Sequence, residues 1–144
     1  MPEMRQDPLT GRWVVIAENR AQRPHEFSSV QRVRATRQCP FCEGNEHVTP
    51  PEVLAYRQSE AGPDEPGWRV RVVPNKYPAL LTSHSDRSIE SDSFYVTREA
   101  VGAHEVIIET PEHLVRSTDL SDSELTQVVQ VYRDRLQAAG ATPG

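Results

Sequence analysis

The segment Cys39-Pro40-Phe41-Cys42 holds both cysteines of this 144-residue chain in one short turn. Two thiolates with this spacing chelate a divalent metal such as zinc with little strain, at about 2.3 Å per sulfur. A closed structural site takes four ligands, so two more must come from elsewhere in the chain. Two other readings compete with a metal. A redox pair usually opens a helix directly after a strand. Here Glu43-Gly44-Asn45-Glu46 follows, which is a poor helix start. The third reading is a pair of small buried apolar side chains. His47, His104 and His113 are the candidate further ligands, and spacing alone does not choose among them.

Charge narrows the function. The net charge is −5, which argues against nucleic-acid binding. The distribution is uneven. Arg5, Arg12, Arg20, Arg23, Arg32, Arg34 and Arg37 outnumber the acids Glu3, Asp7, Glu18 and Glu26 in the first 38 residues. A local arginine cluster on an acidic chain suits a small phosphorylated ligand. Arg20 and Arg23 form either a phosphate clamp or a solvated pair. Asn75, between Pro74 and Pro78, either bonds a ligand or makes a turn. No glycine-rich phosphate loop or nucleophile elbow occurs. No apolar run is long enough for a transmembrane helix, and the polar start carries no signal-peptide core. A cytoplasmic protein without membrane contact is expected, a setting in which disulfides are rare.

Length predicts one domain over residues 1–144. Strands are expected over Arg12–Ala17, Glu52–Tyr56, Trp68–Val73 and His104–Glu109, the third of them half-buried. Residues 18–27 read as a polar loop, and 28–38 and 82–92 as mobile loops. A helix starts at Ser121, with Glu124 completing a capping box and Leu120 and Leu125 placed as a staple. Leu125, Val128, Val129, Tyr132 and Leu136 form its apolar stripe, and Gly140 is a natural stop. Several strands and one helix give an α+β fold with an antiparallel sheet.

Five segments in order carry a more specific signal: DPLTGRWVVIAENRAQRP (7–24), CPFCEGN (39–45), VVPNKYPAL (72–80), HEVIIETPEH (104–113) and SDSEL (121–125). Together they closely resemble the N-terminal half of hexose-1-phosphate uridylyltransferases, the galactose-1-phosphate enzymes of the histidine-triad superfamily. The resemblance covers nearly the whole chain. It implies an α+β half-domain of antiparallel sheet with helices, here incomplete. It implies zinc held by Cys39, Cys42 and His113. It places Arg20 and Arg23 on the nucleotide phosphates across a homodimer interface. Phe41, Val48, Val73, Asn75, Lys76, Tyr77 and Val106 fall where the family lines its uridine and ribose pocket. Lys76 departs from the acidic residue of some members, and relatives that move adenylyl groups are known.

The implied reaction is ping-pong transfer of UMP from UDP-glucose to galactose-1-phosphate through a uridylylated histidine. In the family that histidine lies in a His-Pro-His segment beyond the helix, whose first His is the fourth zinc ligand. No histidine follows His113 here. The expectation is a truncated, frame-shifted or fragmentary chain without turnover of its own. An exposed sheet edge and a partly exposed helix face should accompany it. The alternatives are a zinc-stabilised, non-catalytic binding module and a redox protein working through Cys39 and Cys42.

Overall fold

A computed structural model describes residues 1–22, 39–58, 60–83, 94–114 and 116–141. Arg23 and most of the loops expected over 28–38 and 82–92 lie outside the described residues. The chain divides into two compact units, one of Met1–Phe27, Tyr77–His104 and Thr142–Gly144, the other of Ser28–Lys76 and Glu105–Ala141. Each holds a three-stranded antiparallel sheet, and the second adds the long helix, so the class is α+β.

In the first unit the order is β2 (Trp13–Ile16), β1 (Glu3–Gln6), β5 (Thr97–Glu99). The turn between β1 and β2 is built by Asp7, whose carboxylate accepts from the amides of Leu9 at 2.8 Å and Thr10 at 3.2 Å. Gly11 takes φ +70°, a conformation glycine adopts at little cost. The hairpin is thus local chemistry, although polar β1 itself carries no strand signal. The Arg98 guanidinium stacks 4.1 Å over the Trp13 ring. Residues Glu18–Gln22, expected as loop, form a 3₁₀ helix.

In the second unit β4 (Trp68–Pro74) lies between β3 (Leu54–Arg57) and β6 (Glu105–Ile108). Side chains pack on both faces of β4, Val70 and Val72 in one cluster and Trp68 and Val73 in another, so β4 is more buried than its alternation predicts. Arg71, expected on a wet face, is 1% exposed. Its guanidinium is matched by Glu52 at 3.0 Å, Asp64 at 2.5 Å and the Thr49 hydroxyl at 2.8 Å. Asp64 adopts φ +58° in making this contact. A buried charge is tolerated only with such partners.

Register shifts between Tyr56 and Arg57, which face Val70 and Trp68. The residue between, Arg69, is extra, so side-chain parity flips along β4. Val70 and Val72 therefore pack with Val128 and Val131 of the helix, while Trp68 joins Val73 and Ile108 in a second cluster.

The helix α1 (Asp122–Gly140) begins with the expected capping box. The Ser121 hydroxyl accepts from the Glu124 amide at 3.4 Å, and Glu124 accepts from the Ser121 amide at 2.9 Å. The apolar stripe needs correction. Val128 and Val131 face the sheet, and Leu120 packs on the same cluster. Leu125, Val129, Tyr132 and Leu136 are exposed, Leu136 by 74%. The sheet meets the helix along Val128 and Val131, and the strip one step around is left to solvent. On that exposed side the Tyr132 hydroxyl donates to Glu109. Nearer the sheet, Arg135 grips Glu105 with two bonds of 2.8 and 2.6 Å. No described helix is long and apolar enough to cross a membrane.

Candidate metal centre

Local bonds shape the cysteine turn. The Cys42 amide donates to the Cys39 carbonyl at 3.3 Å, and the Asn45 amide to the Cys42 carbonyl at 3.2 Å. The Asn45 side-chain amide also reaches the Cys39 carbonyl, at 2.9 Å. Gly44 takes φ +88°, which lets the chain fold back beneath the thiols.

The third group arrives from the end of β6. Pro111 follows the strand, and its carbonyl accepts from the Glu43 amide at 3.0 Å. This bond lays the His113 segment beside the turn. Cys39, Cys42 and His113 then present ligand atoms that all lie within 4.8 Å of one another. Cys42 Sγ and His113 Nδ1 are 3.5 Å apart. With ordinary zinc bond lengths, a tetrahedral S–N edge is about 3.6 Å. Two thiols and an imidazole at this spacing fit zinc, and they form the one such cluster among the described residues.

Burial pushes the Cys42 thiol up to about 11, with the Cys39 sulfur adding to the effect. The turn leads into a single 3₁₀ turn, Glu46–Val48, not into an α-helix. This departure from the usual redox placement, at the start of a helix, favours the metal over the redox reading.

Beside the cluster lies an open cavity of about 290 Å³, lined by Cys39, Phe41, Cys42, Val106, Glu109, Glu112 and His113 among others. Phe41 and Val106 thus stand together beside the candidate metal ligands. Val48 is exposed, as is Lys76, and Asn75 is partly exposed. Val73 is buried in the Trp68–Ile108 cluster. In the other unit Arg20 donates to the Tyr77 carbonyl at 3.4 Å, so these two meet. His104 accepts from the Ala79 amide at 2.9 Å, also in that unit, and His47 is exposed. Neither belongs to the cluster.

Sequence reasoning passed over the two carboxylates that flank Gly44. Glu43 accepts from the Gly67 amide at 2.7 Å, and Glu46 is buried. Neither acid stands out in Glu43-Gly44-Asn45-Glu46, because a glutamate in a polar turn is ordinarily solvated.

Comparison with known proteins bears on this site. The family model described as "Galactose-1-phosphate uridyl transferase, N-terminal domain" matches residues 1–143. An ADP-glucose phosphorylase of Arabidopsis thaliana is 33% identical over 141 residues, which is 94% of this chain and 38% of that protein. The galactose-1-phosphate uridylyltransferase of Haemophilus influenzae is 26% identical over 145 residues, 97% of this chain and 38% of that one. The crystal structure of an Arabidopsis ADP-glucose phosphorylase with bound ADP-glucose superposes with a TM-score of 0.51 at 32% identity, covering 96% of this chain and 38% of that chain. The chain therefore spans 38% of the length of both curated relatives.

Proposed function

Since the chain belongs to the galactose-1-phosphate uridyl transferase family through its N-terminal domain, we propose that residues 1–144 act as the metal-stiffened part of a nucleotidyl transferase acting on sugar phosphates. The observation that carries this reading is the Cys39–Cys42–His113 cluster beside the cavity lined by Phe41 and Val106. Zinc held there would cross-link the cysteine turn to the segment after β6 and keep the cavity wall in place. Phe41, Val48, Asn75, Lys76, Tyr77 and Val106 would contact the nucleoside, with Val73 supporting them from the core. Arg20 and Arg23 would meet the phosphates in a homodimer, where guanidinium forks match phosphoryl oxygens. The setting proposed is cytoplasmic.

The specific reaction proposed is UMP transfer from UDP-glucose to galactose-1-phosphate. These 144 residues contain no His-Pro-His segment. On this reading they bind nucleotide but need that segment supplied for turnover. A second reading, adenylyl transfer, has its own support, because the ADP-glucose phosphorylase relative shares 33% identity against 26% for the uridylyltransferase.

Calorimetric titration of the zinc-loaded chain with UDP-glucose and with ADP-glucose separates the readings. Preference for UDP-glucose supports the first and preference for ADP-glucose the second. Binding of neither by a chain that holds zinc would leave a non-catalytic zinc module.

A further inference from the structure

The bonds inside the cysteine turn shape it but attach it to nothing. The two parts of the metal centre are far apart in sequence, and β4 is the frame common to both. His113 reaches that frame through β6, which pairs with β4 from Arg71↔Ile108 to Pro74↔Glu105. The cysteine turn reaches it through Glu46. One carboxylate oxygen of Glu46 accepts from the Gly44 amide at 3.1 Å and from the Trp68 indole N–H at 2.7 Å. Glu46 is 5% exposed and Trp68 2%, so the indole bond is shielded from bulk water, while the bond to Gly44 is part-buried. Trp68 is available on this face only because the register shift at Arg57 turns it away from Val70.

We propose that Glu46 is the positioning residue of the metal centre, holding the Cys39–Cys42 turn at the distance from His113 that zinc requires without touching the metal. The inference rests on the zinc reading given above. The chemistry suits the task. A carboxylate oxygen has the lone pairs to take both donors, and charge-assisted bonds of this kind are short and stiff. Burial by itself would push the Glu46 carboxyl up. The indole, the nearby backbone amides and the Arg71 charge instead hold it below the usual range, so it stays ionised and accepting. Gly44, the residue it grips, is the hinge of the turn. Releasing this bond frees the hinge and loosens the thiols relative to β4, leaving the Glu43 amide–Pro111 carbonyl bond to hold the turn beside the His113 segment. Glu43 bonds the Gly67 amide from the other side, which fixes the hinge's neighbour but not the hinge.

The test uses the whole chain. Zn²⁺ affinity is measured by competition with a chromophoric chelator, and Co²⁺ substitution reports thiolate coordination through its charge-transfer band. Glu46→Ala should weaken zinc by about tenfold to a hundredfold and reduce or shift the cobalt band. Trp68→Phe keeps an aromatic side chain, though a smaller one, and deletes the N–H donor; it should weaken zinc several-fold even if the alanine variant does not fold. Tyr56→Phe, which removes the hydroxyl donated to Asp134 elsewhere in the same unit, is the control. It should lower the melting temperature and leave zinc affinity and the cobalt band unchanged. Wild-type zinc affinity in folded Glu46→Ala or in Trp68→Phe overturns the proposal, whatever happens to the melting temperature. A wild-type chain that takes up no zinc overturns the metal reading itself and this inference with it.

Discussion

Cys42 Sγ lies 3.5 Å from His113 Nδ1, although 71 residues separate them in sequence. That proximity is made by the β4–β6 pairing and by the bond from the Glu43 amide to the Pro111 carbonyl. Removal of a metal that bridges them should therefore loosen the end of β6 as well as the turn. Elemental analysis should find one zinc per purified chain, and chelation should lower the thermal midpoint. Cys42→Ser and His113→Ala should each lose the stoichiometric metal. An unchanged midpoint after complete zinc removal would speak against a structural cross-link.

Arg71 is the most deeply buried charge among the described residues. Its side chain is 1% exposed and bonded to Glu52, Asp64 and Thr49. Arg71→Ala leaves Glu52 buried, hydrogen-bonded still to Arg57 but short of a partner. Equilibrium denaturation should show a loss of about 3 kcal/mol or more. A change under about 1 kcal/mol would mean that water enters the site and replaces the guanidinium.

The helix offers a paired test of which side faces the sheet. Val131 is 0% exposed and Val129 56%. Val131→Ala should cost about 2 kcal/mol by lost burial and cavity formation. Val129→Ala should stay within about 0.5 kcal/mol of wild type. Urea titration of both variants decides it, and equal effects would restore the broader stripe that spacing alone predicts.

Tyr132 gives an alkaline signature. The bond its hydroxyl donates to Glu109, with burial and the Glu109 charge, pushes it up to about 12 from an ordinary 10. The folded state thus holds the phenolic proton more tightly than the unfolded state. The resulting stability is fully present below pH 10 and is lost as pH rises from 10 towards 12. Because the ring is partly exposed, screening keeps the contribution below about 2 kcal/mol. Absorbance titration near 295 nm should place one tyrosine about 12, and Tyr132→Phe should flatten the alkaline fall in stability.

Much of the local structure was readable in advance. Ser121 and Glu124 announce the helix start because capping is a contact between residues three apart. Asp7 and Gly11 mark a turn ahead of β2, because Asp7 satisfies the turn's own amides. Cys39 and Cys42 mark a candidate ligand pair because their spacing suits one metal ion, and the fold brings His113 beside them. The five segments in order point to the family whose N-terminal domain model matches residues 1–143. β1 was not readable, since Glu3–Gln6 is a strand only by virtue of its neighbours β2 and β5. Glu46 was not readable either, since a glutamate in a polar turn is ordinarily solvated.

The sequence by itself determined what depends on near neighbours: the caps, the turns, the cysteine pair and the α+β class. Tertiary structure decided what depends on which face a residue occupies. A one-residue register shift sends Trp68 to the opposite side of β4 from Val70, where its indole meets Glu46. The same central position buries Arg71 among its acids and turns Val131, in place of Leu136, toward the sheet. Side chains alternate with a period of two along a strand, so a single extra residue reassigns every partner beyond it. No local pattern reports such a shift, because its cause lies in the neighbouring strand.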